Sequence, residues 1–227
     1  MPDSDTFFSL IDAFNAADET RRGEIDRQIT TMFTRRRAAM AVDMSGFTRL
    51  VRQHGTVHYV AMIRRMHDVA CRIIPETGGR LVKFDADNFT ALFETASLAL
   101  GGAESLQRAL EADNAGHPRS ARIVTSIGIA WGDVLDVPGY DANGDPINLG
   151  YKLGEDLAEA GEILIDAAAY DELETPDRQR FDALRPQGPP FGDQLLKCQF
   201  LELFSDPLRI VRVCVEVDGV AREGHLV

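Results

Sequence analysis

Two aspartates stand where apolar segments of the sequence end. Asp43 follows the apolar run 38–42, and Asp87 lies in a short polar turn between two segments that are typical of strands, 80–84 and 89–94. Carboxylates at neighbouring strand ends can share a pair of divalent metals, and Mg²⁺ favours few carboxylates with substrate phosphates completing its shell. Aspartate is also common in turns for purely local reasons, so each residue alone has a structural explanation.

A lysine and another aspartate lie on the strand that leads to Asp87. The even spacing of Lys83, Asp85 and Asp87 places all three on one face of that strand. Lysine within an apolar strand is either an edge residue whose stem lies along the surface or a specific hydrogen-bond donor. Asp85 is therefore a rival of Asp87 for the metal-binding role.

A second polar group occurs near a predicted helix over 145–158. Asn148 and Lys152 are four residues apart, which makes them neighbours on one helix face, and Asp141 precedes the helix. The first turns of a helix favour anions because the positive end of its dipole is there. The alternative is a solvated polar helix start. The pair Asp145-Pro146 predicts an N-cap followed by proline at the first helical position.

Strand and helix patterns alternate along the chain. They predict an α+β fold, a mostly antiparallel sheet with helices packed on it. Residues 1–34 form an N-terminal helical extension, 35–185 the main domain, and 186–227 strands that complete it. A helix over 57–74 is expected to bury Val60, Ile63, Met66, His67 and Ala70. Further helices are predicted over 97–113 and 167–173, strands over 123–131, 162–165, 194–203 and 209–217, and a polar loop over 137–143.

Composition narrows the class of protein. The net charge of −12 argues against nucleic acid and anionic membranes as partners. The three cysteines are far apart and form no CxxC pair, so neither a disulfide framework nor a zinc site is expected. No apolar stretch approaches the length of a membrane span, and the N-terminal region does not resemble a signal peptide. We therefore expect a cytoplasmic protein.

Three segments together carry a family resemblance. Residues 42–48, 79–89 and 141–149 closely resemble the signature blocks of class III adenylyl and guanylyl cyclases, and 161–165 resembles the strand that follows them. The resemblance covers about residues 38–175 and implies the ferredoxin-like fold of that family. It implies an enzyme that converts ATP to 3′,5′-cyclic AMP and pyrophosphate with two divalent metal ions, Mg²⁺ or Mn²⁺.

The resemblance also assigns roles to residues. Asp43, Asp87 and the backbone carbonyl of Met44 would bind the metals. Lys83 and Asp141 are similar to the pair that reads adenine, with lysine donating to N1 and aspartate accepting from the 6-amino group. This pair favours ATP, because guanylyl cyclases typically have glutamate and cysteine there.

The remaining roles concern the reacting groups. Asn148 resembles the asparagine that positions the ribose, and Lys152 stands where the family usually has the arginine that stabilises the transition state. Family members divide the site between two domains, so a single-domain chain would need a homodimer with two composite sites.

Three departures from the family leave alternatives open. Lysine at 152 lacks the planar fork of arginine. Ala86 and Asn88 flank Asp87 where many relatives have glycines, and Lys197 is only a weak match for the lysine that binds the triphosphate. The alternatives are a cyclase for GTP or a pyrimidine triphosphate, and a catalytically degenerate domain that binds a nucleotide or a partner.

Overall fold

The computed structural model describes residues 2–178 and the strand Ile210–Cys214. Lys197, the predicted strand over 194–203 and most of the proposed C-terminal segment 186–227 lie outside the described residues. The division of the chain into three segments stays a prediction.

A twisted sheet forms the centre of the described structure. Its strands are β1 (Thr34–Met44), β2 (Arg80–Asp85), β3 (Asn88–Phe93), β4 (Thr125–Val137), β5 (Asp141–Asn143), β6 (Glu162–Asp166) and β7 (Ile210–Cys214). The order is β2-β3-β1-β4-β6-β7, with β5 paired to the end of β4. Only β4 and β6 run parallel among these pairs. This confirms the predicted mostly antiparallel α+β fold. The segment 137–143, predicted as a loop, contains the short strand β5.

Helices cover both faces of the sheet. They are α1 (Ser4–Ala16), α2 (Glu19–Phe33), α3 (Phe47–His54), α4 (Thr56–Glu76), α5 (Ala96–Asn114), α6 (Asp145–Tyr151) and α7 (Ala167–Asp171). A π-helical turn over Lys152–Leu157 follows α6, and a short 3₁₀ turn covers Arg119–Ala121. None of the helices in the described part of the chain is long and apolar enough to cross a membrane.

The main core lies between one sheet face and the helices α4 and α5. Met40 and Val42 of β1 are fully buried there, while Ala39 of the same strand is buried in a second cluster on the other face. Because both faces of β1 are covered, its sequence is a continuous apolar run rather than an alternating one.

The buried face of α4 differs from the expected one. Val60 is 54% exposed, and the stripe that enters the core begins instead with Tyr59 and Met62. Both stripes have helical spacing and share Met66, so periodicity alone could not separate them.

The other sheet face receives α6 and the π-helical turn that follows it at very short range. A Cβ on Gly128 of β4 would lie 2.7 Å from the Cβ of Leu153, and one on Gly154 would lie 2.9 Å from the backbone nitrogen of Gly128. Glycine lets the two backbones meet here. Helix α6 starts at Asp145 itself with Gly144 as its N-cap, at φ 139°, so the predicted capping role of Asp145 is wrong.

The N-terminal helices form a hairpin against the far end of β4. The side chains of Asp3 and Asp18 cap α1 and α2 by accepting from the backbone N–H groups of Thr6 and Arg21. A small apolar cluster then joins the hairpin to the sheet; it includes Phe7, Ile25, Ile29, Phe33 and Val137.

Candidate active site

Adjacent strand ends bring Asp43 and Asp87 together. Asp43 near the end of β1 is in register with Asn88, the first residue of β3, and Asp87 precedes Asn88 in the β2–β3 turn. The backbone N–H of Met44 donates to the carbonyl oxygen of Asp87 at 3.2 Å, which ties the end of β1 to the turn. The predicted juxtaposition of the two aspartates is therefore present.

The charges around Asp43 are mostly negative. Its pKa is raised from 3.8 to about 6, first by burial and then by the charges of Asp87 and Glu155, against the opposing effect of a hydrogen bond from Met44 N–H. A divalent cation between these carboxylates would relieve the repulsion and the cost of desolvation.

The donor set is small. In residues 2–178, no three or more His, Cys, Asp or Glu side chains are grouped so that they could hold a metal ion. The two carboxylates of Asp43 and Asp87 fit a Mg²⁺-type site by their chemistry, because in such a site carboxylates supply few ligands and substrate phosphates or waters supply the rest. Asp85, the rival ligand, is exposed at the end of β2.

Helix α4 holds the turn through two side chains that the sequence patterns did not reveal. The phenol of Tyr59 donates to Asp87 Oδ2 at 2.7 Å. Nε2 of His67 lies 3.0 Å from the carbonyl oxygen of Ala86, and because a carbonyl can only accept, the ring donates from Nε2. Burial, followed by the bond to Asp87, raises the pKa of Tyr59, which keeps the phenol protonated as a donor.

A third carboxylate approaches the turn from the π-helical segment. The side-chain amide of Asn88 donates to the carboxylate of Glu155, while Asn88 Oδ1 is buried without a hydrogen bond. The pKa of Glu155 is raised by burial first and then by the charges of Asp156, Asp87 and Asp85. Sequence spacing could not reveal Glu155, because its approach depends on the wider turn after α6.

Lys83 and Asp141 form an ion pair across the sheet face. Lys83 Nζ lies 3.0 Å from Asp141 Oδ2, and Asp141 Oδ1 accepts the backbone N–H of Ala142 at 2.8 Å. The hydrogen bond to Asp141 is the main cause of the raised pKa of Lys83, and burial opposes it. Although far apart in sequence, the two residues place a donor and an acceptor side by side.

Asn148 and Lys152 lie on α6 and its continuation. Asn148 is exposed, and Lys152 Nζ forms an ion pair with Asp156 Oδ2 at 2.6 Å. The helix changes to π geometry at Lys152, and a backbone bond from Ala158 N–H to Leu153 O closes the wider turn at 2.8 Å. The cation expected to face a phosphate is thus held by a carboxylate one turn away in the free chain.

Known proteins share this arrangement of helices and strands. The crystal structure of an adenylate/guanylate cyclase/hydrolase from Silicibacter pomeroyi superposes with a TM-score of 0.61 at 27% identity, covering 81% of this chain and 98% of that one. The guanylyl cyclase Cya2 superposes with a TM-score of 0.60 at 20% identity, covering 82% and 95%. The chain therefore has the fold of class III adenylyl and guanylyl cyclase domains.

The sequence comparisons agree with this assignment. No family model matches the chain. A curated protein named putative adenylate cyclase 3, from Rhizobium meliloti (strain 1021), is 29% identical over 134 residues, which is 59% of this chain. The matched residues span 22% of that relative's length. The family resemblance and fold class inferred from the sequence are confirmed, while the roles of individual site residues stay predictions.

Proposed function

We propose that this cyclase domain converts ATP to 3′,5′-cyclic AMP and pyrophosphate. The observation that carries the proposal is the meeting of Asp43 and Asp87 at neighbouring strand ends, in a place that raises the pKa of Asp43 to about 6. Such crowding of like charges is costly unless a cation is part of the working site.

Asp43 and Asp87 would hold two divalent ions, Mg²⁺ or Mn²⁺, with the Met44 carbonyl as a further ligand. When bound, the ions would lower the pKa of the ribose 3′-hydroxyl and neutralise the leaving pyrophosphate. The 3′-hydroxyl oxygen would form a bond to the α-phosphorus and its proton would pass to water, while the bond between the α-phosphorus and the bridging oxygen breaks and pyrophosphate leaves with that oxygen. Asp43 and Asp87 would also hold the two metal ions in fixed positions. Little of the site would then have to reorganise as the reaction proceeds.

The Lys83–Asp141 pair supports adenine as the base. Lysine presents N–H donors and aspartate presents acceptor oxygens, which match adenine N1 and its 6-amino group. Guanine has an N1–H donor and an O6 acceptor at those positions, so both contacts would be mismatched. Leaving such polar groups unpaired in a site costs about 1–3 kcal/mol for each group.

Asn148 and Lys152 would act on the substrate of a partner subunit in a homodimer with two composite sites. Asn148 would orient the ribose. Lys152 would leave its ion pair with Asp156 and pair instead with the pentavalent phosphorus group as negative charge develops on that group. An exposed ion pair of this kind contributes only about 0.2–1 kcal/mol to stability. Breaking the Lys152–Asp156 pair would therefore cost little free energy during the reaction.

Incubation with nucleotides tests the proposal. Purified protein is incubated separately with ATP, GTP, CTP and UTP plus Mn²⁺ or Mg²⁺, and the products are identified by mass. We expect cyclic AMP as the main product, and no product from Asp87→Ala. A cyclic nucleotide with another base would contradict the ATP assignment, and no cyclic product with any nucleotide would contradict the cyclase assignment.

Exchange of the base-reading pair provides a second test. Lys83→Glu combined with Asp141→Cys should lower kcat/KM for ATP at least tenfold relative to that for GTP, since both hydrogen bonds to adenine are lost. Steady-state kinetics with each nucleotide measures this ratio. Unchanged selectivity for ATP would mean that other residues read the base.

Two alternatives have some support. The likeness to a guanylyl cyclase leaves a GTP-specific enzyme as one candidate. The Lys152–Asp156 pair supports a domain that binds nucleotide without turnover, because it neutralises the cation that catalysis would need. The cytoplasmic location also stays a prediction.

A further inference from the structure

Tyr59 combines deep burial with a polar contact at the metal-binding turn. Its residue exposure is 2%, its ring lies in the main core, and its hydroxyl donates to Asp87 Oδ2 at 2.7 Å. A phenylalanine would fill nearly the same volume without bringing a polar atom into the core. Burying a hydroxyl costs free energy unless it has a hydrogen-bond partner. The hydrogen bond to Asp87 therefore accounts for a hydroxyl at this buried position.

The acceptor in this bond makes it a strong one. Hydrogen bonds to ionised carboxylates are shorter and about twice as strong as those between neutral groups. Because Tyr59 holds Oδ2 of Asp87 from the side of the core, the rotation of the carboxylate is restricted. The orientation of Oδ1 is then set by a contact with the core in addition to the backbone of the turn.

The turn itself needs such support. Ala86 adopts φ 51°, a left-handed conformation that is unfavourable for alanine by about 1 kcal/mol or more. His67, two helical turns after Tyr59 on α4, donates to the Ala86 carbonyl and stacks on Phe84 at 4.0 Å between ring centroids. Helix α4 thus supports the backbone of Ala86 through His67 and the side chain of Asp87 through Tyr59.

We propose that Tyr59 is a positioning residue that fixes Asp87 in the orientation required for metal binding. The inference rests on the metal site in the proposed function and adds a residue to it. Groups that hydrogen-bond to metal ligands typically change metal affinity or activity by about 10- to 100-fold when they are removed. The hydroxyl of Tyr59 would therefore raise the affinity for the metal by holding the Asp87 carboxylate in position.

Mn²⁺ binding to the purified protein tests this inference without turnover. Free Mn²⁺ is measured by electron paramagnetic resonance during titration of wild type, Tyr59→Phe and Asp87→Asn. Tyr170→Phe serves as a matched control, since it removes a phenol from α7, away from the turn. We expect Tyr59→Phe to weaken Mn²⁺ binding about 10- to 100-fold, Asp87→Asn to weaken it at least as much, and Tyr170→Phe to leave it unchanged.

Thermal unfolding separates positioning from a general loss of structure. Mn²⁺ should raise the unfolding midpoint of wild type and of Tyr170→Phe, and raise that of Tyr59→Phe much less at the same concentration. In the Asp87→Asn background, Tyr59→Phe should cause no further loss of Mn²⁺ binding, because the oriented carboxylate is already absent.

The outcomes distinguish this inference from the proposed function. Equal Mn²⁺ affinity in Tyr59→Phe and wild type, or a wild type that binds no Mn²⁺, would overturn the positioning role. If Tyr59→Phe loses affinity but wild type makes no cyclic nucleotide, Tyr59 positions a metal ligand and the cyclase assignment is wrong. If wild type makes cyclic AMP and Tyr59→Phe binds Mn²⁺ as well as it does, the cyclase stands and this inference falls.

Discussion

Asp43 is the residue at which stability and proposed function conflict most clearly. Burial and two neighbouring acids raise its pKa to about 6, so ionising this carboxyl group costs more free energy in the folded, metal-free protein than in the unfolded chain. We expect Asp43→Asn to abolish turnover and yet raise the free energy of unfolding at pH 8 by about 1–2 kcal/mol, after allowance for solvent screening. Chemical denaturation in the presence of a chelator measures this difference.

The pH dependence of that gain has a definite sign. Because the pKa of Asp43 is higher in the folded protein than its ordinary 3.8, this group binds more protons in the folded state, and its contribution to stability is lost as the pH rises through about 6. The advantage of Asp43→Asn should therefore be about half as large at pH 5 as at pH 8, because pH 5 lies between the unfolded and folded pKa values. Asp12→Asn, at an exposed position on α1, serves as the control. Equal gains at both pH values would show that Asp43 is not perturbed.

Lys152 is the residue whose role can be separated from that of its ion-pair partner. If it neutralises charge in the transition state, Lys152→Ala should lower kcat about 10²- to 10³-fold with little change in KM. Lys152→Arg should keep or raise activity because the guanidinium can bond two phosphoryl oxygens. Asp156→Asn breaks the same ion pair but keeps the cation, so it should retain activity. Wild-type kcat in Lys152→Ala would remove this residue from the mechanism.

At the scale of elements, the close approach of α6 to β4 depends on glycine. A Cβ on Gly128 would be 2.7 Å from the Cβ of Leu153 and would also collide with the backbone of Gly150. Gly128→Ala should cost about 3 kcal/mol or more, since backbone atoms cannot move aside as a side chain can. In Gly101→Ala on α5, the new Cβ meets nothing within 4 Å, so the change should be neutral or stabilising by up to about 1 kcal/mol. Denaturant unfolding of both variants decides whether the approach is as tight as described.

Elements with a strong local pattern could be predicted from the sequence. The apolar run of β1, the hairpin of β2 and β3 and the long helix α4 were all expected, and with them the meeting of Asp43 and Asp87. Helix α3 was not expected; it is a separate element because Gly46 and Gly55 adopt left-handed φ values of 95° and 85° at its two ends. Strand β5 was missed because only its pairing with the end of β4 makes it a strand.

Tertiary contacts explain the site residues that the sequence did not reveal. Tyr59 and Glu155 reach the metal-binding turn from separate helical segments, and no spacing along the chain records those contacts. Lys83 and Asp141 could be paired only through the family resemblance, since the pair forms across the sheet. The π-helical turn over Lys152–Leu157 is closed by a backbone hydrogen bond from Ala158 N–H to Leu153 O. The spacing of side chains in the sequence does not predict this bond.

At the scale of the whole molecule, the proposed machinery is divided between two regions. Asp43 and Asp87 lie at the ends of central strands, whereas Asn148 and Lys152 lie on the helix that packs against the other sheet face. We propose that each region works with the opposite region of a second copy of the chain. A closed, two-fold dimer would then contain two equivalent composite sites.

Complementation between two inactive variants tests whether the sites are shared between subunits. Asp43→Ala and Asn148→Ala are each expected to be inactive, but a heterodimer of the two contains one intact site. After subunit exchange has been demonstrated with differently tagged chains, an equal mixture should recover about a quarter of wild-type cyclic AMP formation, because half of the dimers are mixed and each has one working site of two. No recovery after proven exchange would contradict the composite site.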